Sequence, residues 1–275
     1  MATRMRDALM QRLGELRFEP TEKQVRVEHD GRTVAQTPRA VLVWEPRRVI
    51  PEYAFQLEHV EAELVPVRQA DQPAADDSQV LHPGIPFSVH STPGEVVDVV
   101  VGDQRFEQAG FRPSDPELEG VVILDFAAFE SWYEEAEEII AHPRDPYHRV
   151  DVRPSDRHVR VELEGEVIAE SSRPMVLFET GLPPRFYLPV EDVAATYVPS
   201  PTRSACPYKG WASYWSFGDH PDAAWSYEDP FPDALRISGM LSFWGDGVDV
   251  IVDDTGRERP LTDGGDTVPD ELGAH

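Results

Sequence analysis

The stretch Cys206-Pro207-Tyr208-Lys209-Gly210 brings together two side chains that are rare in this chain. Lys209 is one of two lysines, and Cys206 is the single cysteine. A lysine among aromatic neighbours can hold an anion, form a Schiff base with a carbonyl compound or act as a base once its pKa falls. The alternative is a structural ion pair with Glu179 or another acidic neighbour. Cys206 is a second catalytic candidate if a cation activates its thiol, and otherwise a small buried hydrophobic residue.

The elements that must position these residues occur twice in the chain. Residues 25–35, VRVEHDGRTVA, return 134 residues later as VRVELEGEVIA at 159–169, and the match continues without a gap to Tyr53 and Tyr187. It resumes at Gly120 and Gly239, with about 15 extra residues in the first copy, near 69–79. We therefore predict two copies of one unit, with a polar loop at the insertion.

Both copies have the residue pattern of antiparallel strands. Apolar and polar residues alternate in each, and Asp30-Gly31 and Glu164-Gly165 stand where a hairpin would reverse. Residues 40–44 and 175–178 are continuous apolar runs, typical of buried strands. The predicted fold class is all-β with minor helices: two tandem small antiparallel β-domains related by internal duplication.

Domain boundaries follow from these patterns. Helical spacing of apolar residues after an Asp125 cap predicts a helix that closes the first domain. The prediction has five segments: an N-terminal helical arm (1–17), a first β-domain (18–141) with its closing helix (125–140), a linker (142–154), a second β-domain (155–255) and a disordered tail (256–275).

Charge restricts the expected partners. With 51 acidic and 25 basic residues the formal charge is −26, and such a surface repels phosphate backbones and anionic lipids. We therefore expect neither nucleic acid nor membrane as a partner. The chain has no apolar stretch of roughly 20 residues and no signal-peptide core, which favours a cytoplasmic location. The oligomeric state stays open.

Metal and cofactor sites have weak support in the sequence. His142, Asp145 and His148 recur every three residues, but Pro143 and Pro146 prevent the helix that would align them as ligands. The chain contains no GxGxxG, P-loop, HExxH or GxSxG pattern. We expect no metal and no cofactor.

A larger set of residues resembles the bacterial family catalogued as domain of unknown function 427. The resemblance covers residues 159–252, and a weaker copy covers 25–126. It is carried by Val159-Arg160-Val161-Glu162, Gly165, Ala169, Ser172-Arg173-Pro174, Leu177-Phe178-Glu179-Thr180, Pro183-Pro184-Arg185-Phe186-Tyr187, Cys206-Pro207-Tyr208-Lys209-Gly210, Trp225-Ser226-Tyr227 and Asp229-Pro230. The resemblance implies an all-β fold for each unit and no established activity. The family is sometimes labelled nucleotidyltransferase-like, but this chain lacks the carboxylate motif for the metal.

The resemblance also indicates which residues belong to a site. The family's motif positions are matched by Arg173, Glu179, Tyr187, Cys206, Tyr208, Lys209, Trp225 and Tyr227. The first copy keeps Arg39, Glu45 and Tyr53 but lacks the Cys-Pro-Tyr-Lys-Gly and Trp-Ser-Tyr segments. The shared Arg and Glu are therefore expected to form a fold-level ion pair, and the first copy to be a degenerate scaffold.

Three hypotheses for function remain at this point. The first is a small anionic or carbonyl ligand bound in the second copy beside Lys209 and Trp225-Ser226-Tyr227, roofed by the linker with His142 and His148. The second is a non-catalytic structural or interaction protein built from the same residues. The third is a nucleotidyltransferase-like enzyme, which the missing motif disfavours. Whether the protein is an enzyme is not decided by the sequence.

Overall fold

A computed structural model describes residues 2–67 and 80–253, which form two compact units, Met1–Asp145 (unit 1) and Pro146–His275 (unit 2). The predicted loop at 69–79 and the predicted tail at 256–275 lie outside the described residues. Among the residues described, no helix is long and apolar enough to cross a membrane.

Unit 1 consists mainly of strands. Among its described residues, short 3-10 turns lie at Leu57–His59, Pro116–Leu118 and Phe126–Ala128. Its regular elements are helix α1 (Met5–Met10) and strands β1 (Arg17–Pro20), β2 (Val25–His29), β3 (Arg32–Thr37), β4 (Val41–Trp44), β5 (Glu52–Gln56), β6 (Glu63–Pro66), β7 (Gly94–Val101), β8 (Gln104–Pro113), β9 (Val121–Leu124), β10 (Ser131–Glu134) and β11 (Glu137–Ile139).

The strands of unit 1 form two antiparallel sheets. A seven-stranded sheet has the order β1-β4-β5-β9-β8-β7-β6, and a four-stranded sheet has the order β11-β10-β2-β3. One apolar cluster draws residues from both sheets, among them Val27, Phe55 and Trp132. A second cluster, with Val43, Phe111 and Ile123, covers the other face of the large sheet. The large sheet is therefore buried on both faces.

Unit 2 is built in the same way. Its 3-10 turns are Val190–Asp192 and Pro232–Ile237. Its strands are β12 (Val150–Pro154), β13 (Val159–Leu163), β14 (Glu166–Ser171), β15 (Met175–Glu179), β16 (Arg185–Tyr187), β17 (Val198–Cys206), β18 (Gly210–Phe217), β19 (His220–Tyr227), β20 (Ser242–Phe243) and β21 (Val248–Val252).

The strand order of unit 2 parallels that of unit 1. Three sheets run β12-β15-β16, β17-β18-β19-β20 and β14-β13-β21. A bridge between Leu188 and Leu241 connects the end of β16 to the start of β20. It joins the first two sheets edge to edge, at the position where β5 pairs with β9 in unit 1. Hairpins β2–β3 and β13–β14 even share a bulge, after Val27 and after Val161. This likeness supports the proposal of an internal duplication.

The all-β fold class and the two hairpins are confirmed. Asp30 and Gly31 have φ of 50° and 67°, and Glu164 and Gly165 have φ of 52° and 82°. Two successive left-handed residues make the tight turn that matches the twist of paired strands. The apolar runs predicted as strands lie in β4 and β15.

The prediction of a closing helix at 125–140 was wrong. Asp125 does cap a turn, by accepting a hydrogen bond from the Ala127 amide at 2.9 Å, but that turn is 3-10 and ends at Ala128. The chain then forms the hairpin β10–β11, with Glu135 left-handed at its turn (φ 54°). Strand β10 pairs with β2, so its backbone bonds to a distant strand, which local spacing could not show.

The prediction of an N-terminal helical arm at residues 1–17 was correct only in part. Helix α1 covers Met5–Met10, far less than residues 1–17, and β1 already begins at Arg17. The intervening turn is tied to the loop between β4 and β5, because the Arg47 amide donates to the Leu13 carbonyl at 2.5 Å.

The burial of Trp132 can be used to test the β10–β11 hairpin against the helix predicted for the same residues. Trp132 was not among the residues assigned to the apolar side of the predicted helix, which were Phe126, Phe129, Tyr133, Ala136 and Ile140. In the structure it is 2 % exposed, and its Nε1 donates to the Phe126 carbonyl. We expect Trp132→Ala to lower the free energy of unfolding by about 3–5 kcal/mol, measured by urea denaturation. The control is Trp211→Ala, because Trp211 is 52 % exposed and should cost roughly 0.5 kcal/mol. Equal losses would contradict the β10 assignment.

Candidate functional site

A tight turn presents Lys209 to the interior of unit 2. Cys206 ends β17 and Gly210 begins β18. The Lys209 amide donates to the Cys206 carbonyl (3.3 Å), and the Lys209 carbonyl accepts from the Phe231 amide (3.1 Å). Gly210 has φ of 100°, and a Cβ there would lie 3.4 Å from the Asp229 carbonyl oxygen, so glycine suits this turn. Lys209 is consequently only 7 % exposed.

Lys209 forms an ion pair with Glu179, the alternative that the sequence had left open. Its Nζ donates to Glu179 Oε2 at 2.5 Å. The other carboxylate oxygen, Oε1, lies 3.0 Å from Nε2 of His148. Glu179 ends β15, and His148 precedes β12, which pairs with β15. The carboxylate therefore joins three separate segments of unit 2.

Both partners of this pair stay charged. Burial alone would raise the pKa of Glu179, but the His148 hydrogen bond and the Lys209 charge lower it to about 2. Burial alone would lower the pKa of Lys209, yet the electrostatic effects of Cys206 and Glu179 raise it above its ordinary value. Since a protonated amine is no nucleophile, this environment favours Lys209 as a charged hydrogen-bond donor.

His148 connects the buried pair with the surface. Its side chain is 20 % exposed, compared with 9 % for Lys209 and 7 % for Glu179. The ring stacks on Tyr208, with centroids 4.2 Å apart and an angle of 23° between the planes. Of these side chains, His148 is the one that a molecule in solution would meet first.

Aromatic rings and a second cation complete the surroundings. The Trp225 Nε1 donates to the Tyr187 hydroxyl at 3.2 Å, and burial raises the pKa of Tyr187 to about 12. Burial also raises the pKa of Tyr227 well above its ordinary value. The Arg185 guanidinium lies 5.6 Å from the centre of Trp225 and 5.2 Å from that of Trp244. These are distances at which a cation is attracted to an aromatic face.

We name this set the Lys209 cluster. It comprises His148, Glu179, Arg185, Tyr187, Cys206, Tyr208, Lys209, Trp225, Tyr227 and Trp244. Seven members were proposed from the sequence as site or catalytic residues, and His148 was proposed only as part of a roof. Arg185 and Trp244 were missed, although Arg185 stands inside the motif Pro183-Pro184-Arg185-Phe186-Tyr187.

Arg173 does not belong to the cluster, and the expected Arg–Glu pair was wrong. Arg173 pairs with Asp192 at 3.1 Å, just as Arg39 pairs with Glu58 at 3.0 Å. Each arginine precedes a strand and each predicted glutamate partner, Glu45 or Glu179, follows or ends it. Six residues of extended chain span about 20 Å, too far for an ion pair.

The match of Tyr53 with Tyr187 was also misleading. Val41 pairs with Ala54, whereas Met175, its counterpart 134 residues later, pairs with Tyr187. The strand register thus aligns Tyr187 with Ala54. Tyr53 points to the opposite face, where it donates to Glu134 Oε1 at 2.7 Å. A shift of one residue moves a side chain to the other side of a sheet.

His142 and possible metal ligands were the other features considered from the sequence. His142 lies in unit 1, with its Nδ1 2.7 Å from the Pro143 carbonyl oxygen. Within residues 2–67 and 80–253, no group of three or more His, Cys, Asp or Glu side chains is arranged to hold a metal ion.

The two lysines form a natural comparison. Lys23 pairs with Glu134 but is 46 % exposed, whereas Lys209 is 9 % exposed. We expect Lys209→Met to lower the free energy of unfolding by about 3–5 kcal/mol, because it leaves the buried Glu179 without its ammonium partner. Lys23→Met should cost less than about 1 kcal/mol. Urea denaturation checks both. The double variant Lys209→Met/Glu179→Leu should recover most of the loss, and equal single-variant losses would contradict a buried pair.

The low pKa of Glu179 predicts a loss of stability in acid. Because the folded-state pKa of about 2 lies below the ordinary 4.5, the carboxylate stabilises the fold above pH 4.5, and this is lost as pH falls from 4.5 to 2. We expect Glu179→Gln to flatten that part of the pH profile by roughly 3 kcal/mol, measured by denaturation at pH 2.5, 4.5 and 7. The exposed Glu191→Gln serves as control, and matching profiles for both variants would refute the assignment.

Comparison with known families adds the identity of the domain. A search of curated proteins found no match. The sequence profile described as "Domain of unknown function (DUF427)", with the label NTP_transf_9, matches residues 17–74 and 151–254. The two matches begin near the start of β1 and of β12 and together cover more than half of the chain. The protein therefore belongs to the DUF427 family.

Proposed function

We propose that unit 2 binds a small molecule with an anionic or carbonyl group at the Lys209 cluster. One observation carries the proposal: the cluster has a single carboxylate, Glu179, against three side chains that are cationic or can become so. These are Lys209, Arg185 and His148. In a protein of formal charge −26, a local excess of positive charge attracts an anion.

Lys209 can bind such a group through hydrogen bonds alone. The Lys209 ammonium has three donors, one of which goes to Glu179. Another can hold a carboxylate or carbonyl oxygen without a covalent step. The raised pKa of Lys209 speaks against a Schiff base, which needs the free amine.

His148 supplies the accessible contact. Its Nε2 faces Glu179, so when the ring is neutral the carboxylate keeps the proton on Nε2 and leaves Nδ1 as an acceptor. When the ring is charged, Nδ1 donates to an anion instead. The same histidine therefore suits binding of an anion or exchange of a proton with a ligand.

A structural role is the second candidate, and it too has an observation in its favour. Lys209 is 7 % exposed and its short bond to Glu179 already uses part of its charge. The contacts of the cluster would then serve to tie together the segment before β12, the end of β15 and the turn before β18. The first candidate accounts better for the additional cations, Arg185 and His148.

The experiment is a thermal-shift titration with sodium acetate and sodium phosphate, against sodium chloride of equal ionic strength. We expect either anion to raise the melting temperature of the wild type; at about 100 times Kd the gain is about 2.7 kcal/mol. Lys209→Arg and His148→Gln should weaken binding about tenfold or more. The glutamine amide in His148→Gln keeps a donor for Glu179 but lacks the charge that the imidazole can carry.

The matched control is Lys23→Arg, which should bind like the wild type because Lys23 lies in an exposed pair of unit 1. Anion-specific shifts that are identical in all four proteins would remove Lys209 and His148 from the site. Absence of any shift beyond that of chloride would leave the structural role.

A further inference from the structure

Unit 1 contains a second cluster of buried ionisable groups. We name it the Glu45 cluster; it comprises Glu45, Arg48, Glu52, His90 and Asp125. Glu45 is anchored much as Glu179 is in unit 2: Oε1 lies 2.9 Å from His90 Nδ1, and Oε2 accepts from the Ser91 amide at 2.8 Å. A carboxylate at the end of this central strand is thus held in both units, by different partners.

The strand register brings the cluster to one face of the seven-stranded sheet. Glu52 on β5 pairs with Val43 on β4, and Glu45 lies two residues beyond Val43. Ala54 pairs with Ile123 on β9, and two further steps along the strands place Asp125 beside Glu52. Alternation puts these side chains on the same face.

Residues 81–90 lie against this face of the sheet. The His90 ring stacks on Phe111, with centroids 3.7 Å apart and an angle of 9°. Arg48 Nη2 donates to the Val89 carbonyl at 2.8 Å, and Arg48 forms a bridge with Leu81. The imidazole and the guanidinium are therefore held against the same end of the sheet.

Three polar atoms in this cluster have no partner. Arg48 Nε, Glu52 Oε2 and His90 Nε2 are buried without a hydrogen bond. Arg48 and Glu52 are 2 % and 8 % exposed, and the side chain of His90 is 7 % exposed. Arg48 Nε lies 3.8 Å from Glu45 Oε1, an ion-pair contact beyond hydrogen-bond distance. Each unmade bond costs about 1–3 kcal/mol. Three in one cluster point to an occupant that satisfies them.

All three atoms can donate. Arg48 Nε always carries a hydrogen. Burial raises the pKa of Glu52 to about 8, against the opposing charge of Arg48 and with the support of Asp125 and Glu45. Glu52 is therefore a neutral acid at pH 7, and its hydroxyl can donate. His90 Nδ1 faces Glu45, so Nε2 also donates when the ring is charged. A carboxylic acid kept neutral in this way can stabilise an oxyanion.

We infer that unit 1 contains its own binding site, in which Arg48, Glu52 and His90 donate to the oxygen of a small carboxylate or carbonyl group. Because all three atoms are buried, the smallest carboxylate, formate, is the appropriate probe. This goes beyond the function proposed for unit 2 and does not rest on it. The first repeat is then more than a scaffold.

Formate binding tests the inference in the His148→Gln background, which weakens the proposed unit 2 site and leaves every residue of unit 1 unchanged. Calorimetry and thermal shift are run at pH 6.5 and 9, with sodium chloride of equal ionic strength as reference. We expect formate-specific binding that falls as pH rises through about 8, because Glu52 loses its proton and becomes a second negative charge beside the ligand.

Two substitutions at Glu52 sharpen the result. Glu52→Gln keeps a donor and cannot ionise. We therefore expect it to bind formate without the loss of affinity that its parent shows as pH rises through about 8. Glu52→Leu keeps the size but has no donor, and should weaken binding about tenfold or more at pH 6.5. Because Glu52 is neutral at pH 6.5, its replacement by leucine removes no charge from the cluster, so the fold is expected to persist.

Equal formate affinity in Glu52→Leu and its parent would overturn the inference. So would the absence of any formate effect beyond chloride at pH 6.5 in the His148→Gln protein. Neither result bears on unit 2, whose acetate and phosphate binding is measured by the Lys209 and His148 variants.

Discussion

A buried carboxylate at the end of a central strand is the interaction on which unit 2 depends. Removing Glu179 from water costs several kcal/mol, which close charged and hydrogen-bonding partners must offset. Lys209 and His148 supply them, from a turn 30 residues later and a segment 31 residues earlier. Because these contacts fix the turn before β18 and the segment before β12 against β15, the same atoms hold the fold together and shape its candidate site.

Unit 1 solves the same problem with other residues. Glu45 occupies the place of Glu179, and a backbone amide and an imidazole stand where the ammonium and imidazole stand in unit 2. Around these carboxylates the two units differ in charge. By register, Glu52 corresponds to Arg185, since their partners Val43 and Leu177 are 134 residues apart. One architecture therefore offers two chemically different polar sites.

The electrostatics also decide what the rare lysine can do. A buried lysine without a partner would lose its proton easily and become a nucleophile. Lys209 has the opposite environment, since Glu179 remains ionised with a pKa of about 2. Its chemistry is that of a fixed positive charge, and a group that can exchange a proton near pH 8 is found instead at Glu52 in unit 1.

The sequence by itself determined the local features. Alternation with a period of two and the Asp-Gly and Glu-Gly turns predict strands and hairpins, because both depend on neighbouring residues. The scarcity of lysine singled out Lys209, and the motif residues indicated the family. Tertiary structure decided the rest: that Ser131–Glu134 is a strand beside β2, that Tyr187 aligns with Ala54, and that Arg173 pairs with Asp192. Each of these depends on a partner distant in sequence, and a shift of one residue in pairing turns a side chain to the other face.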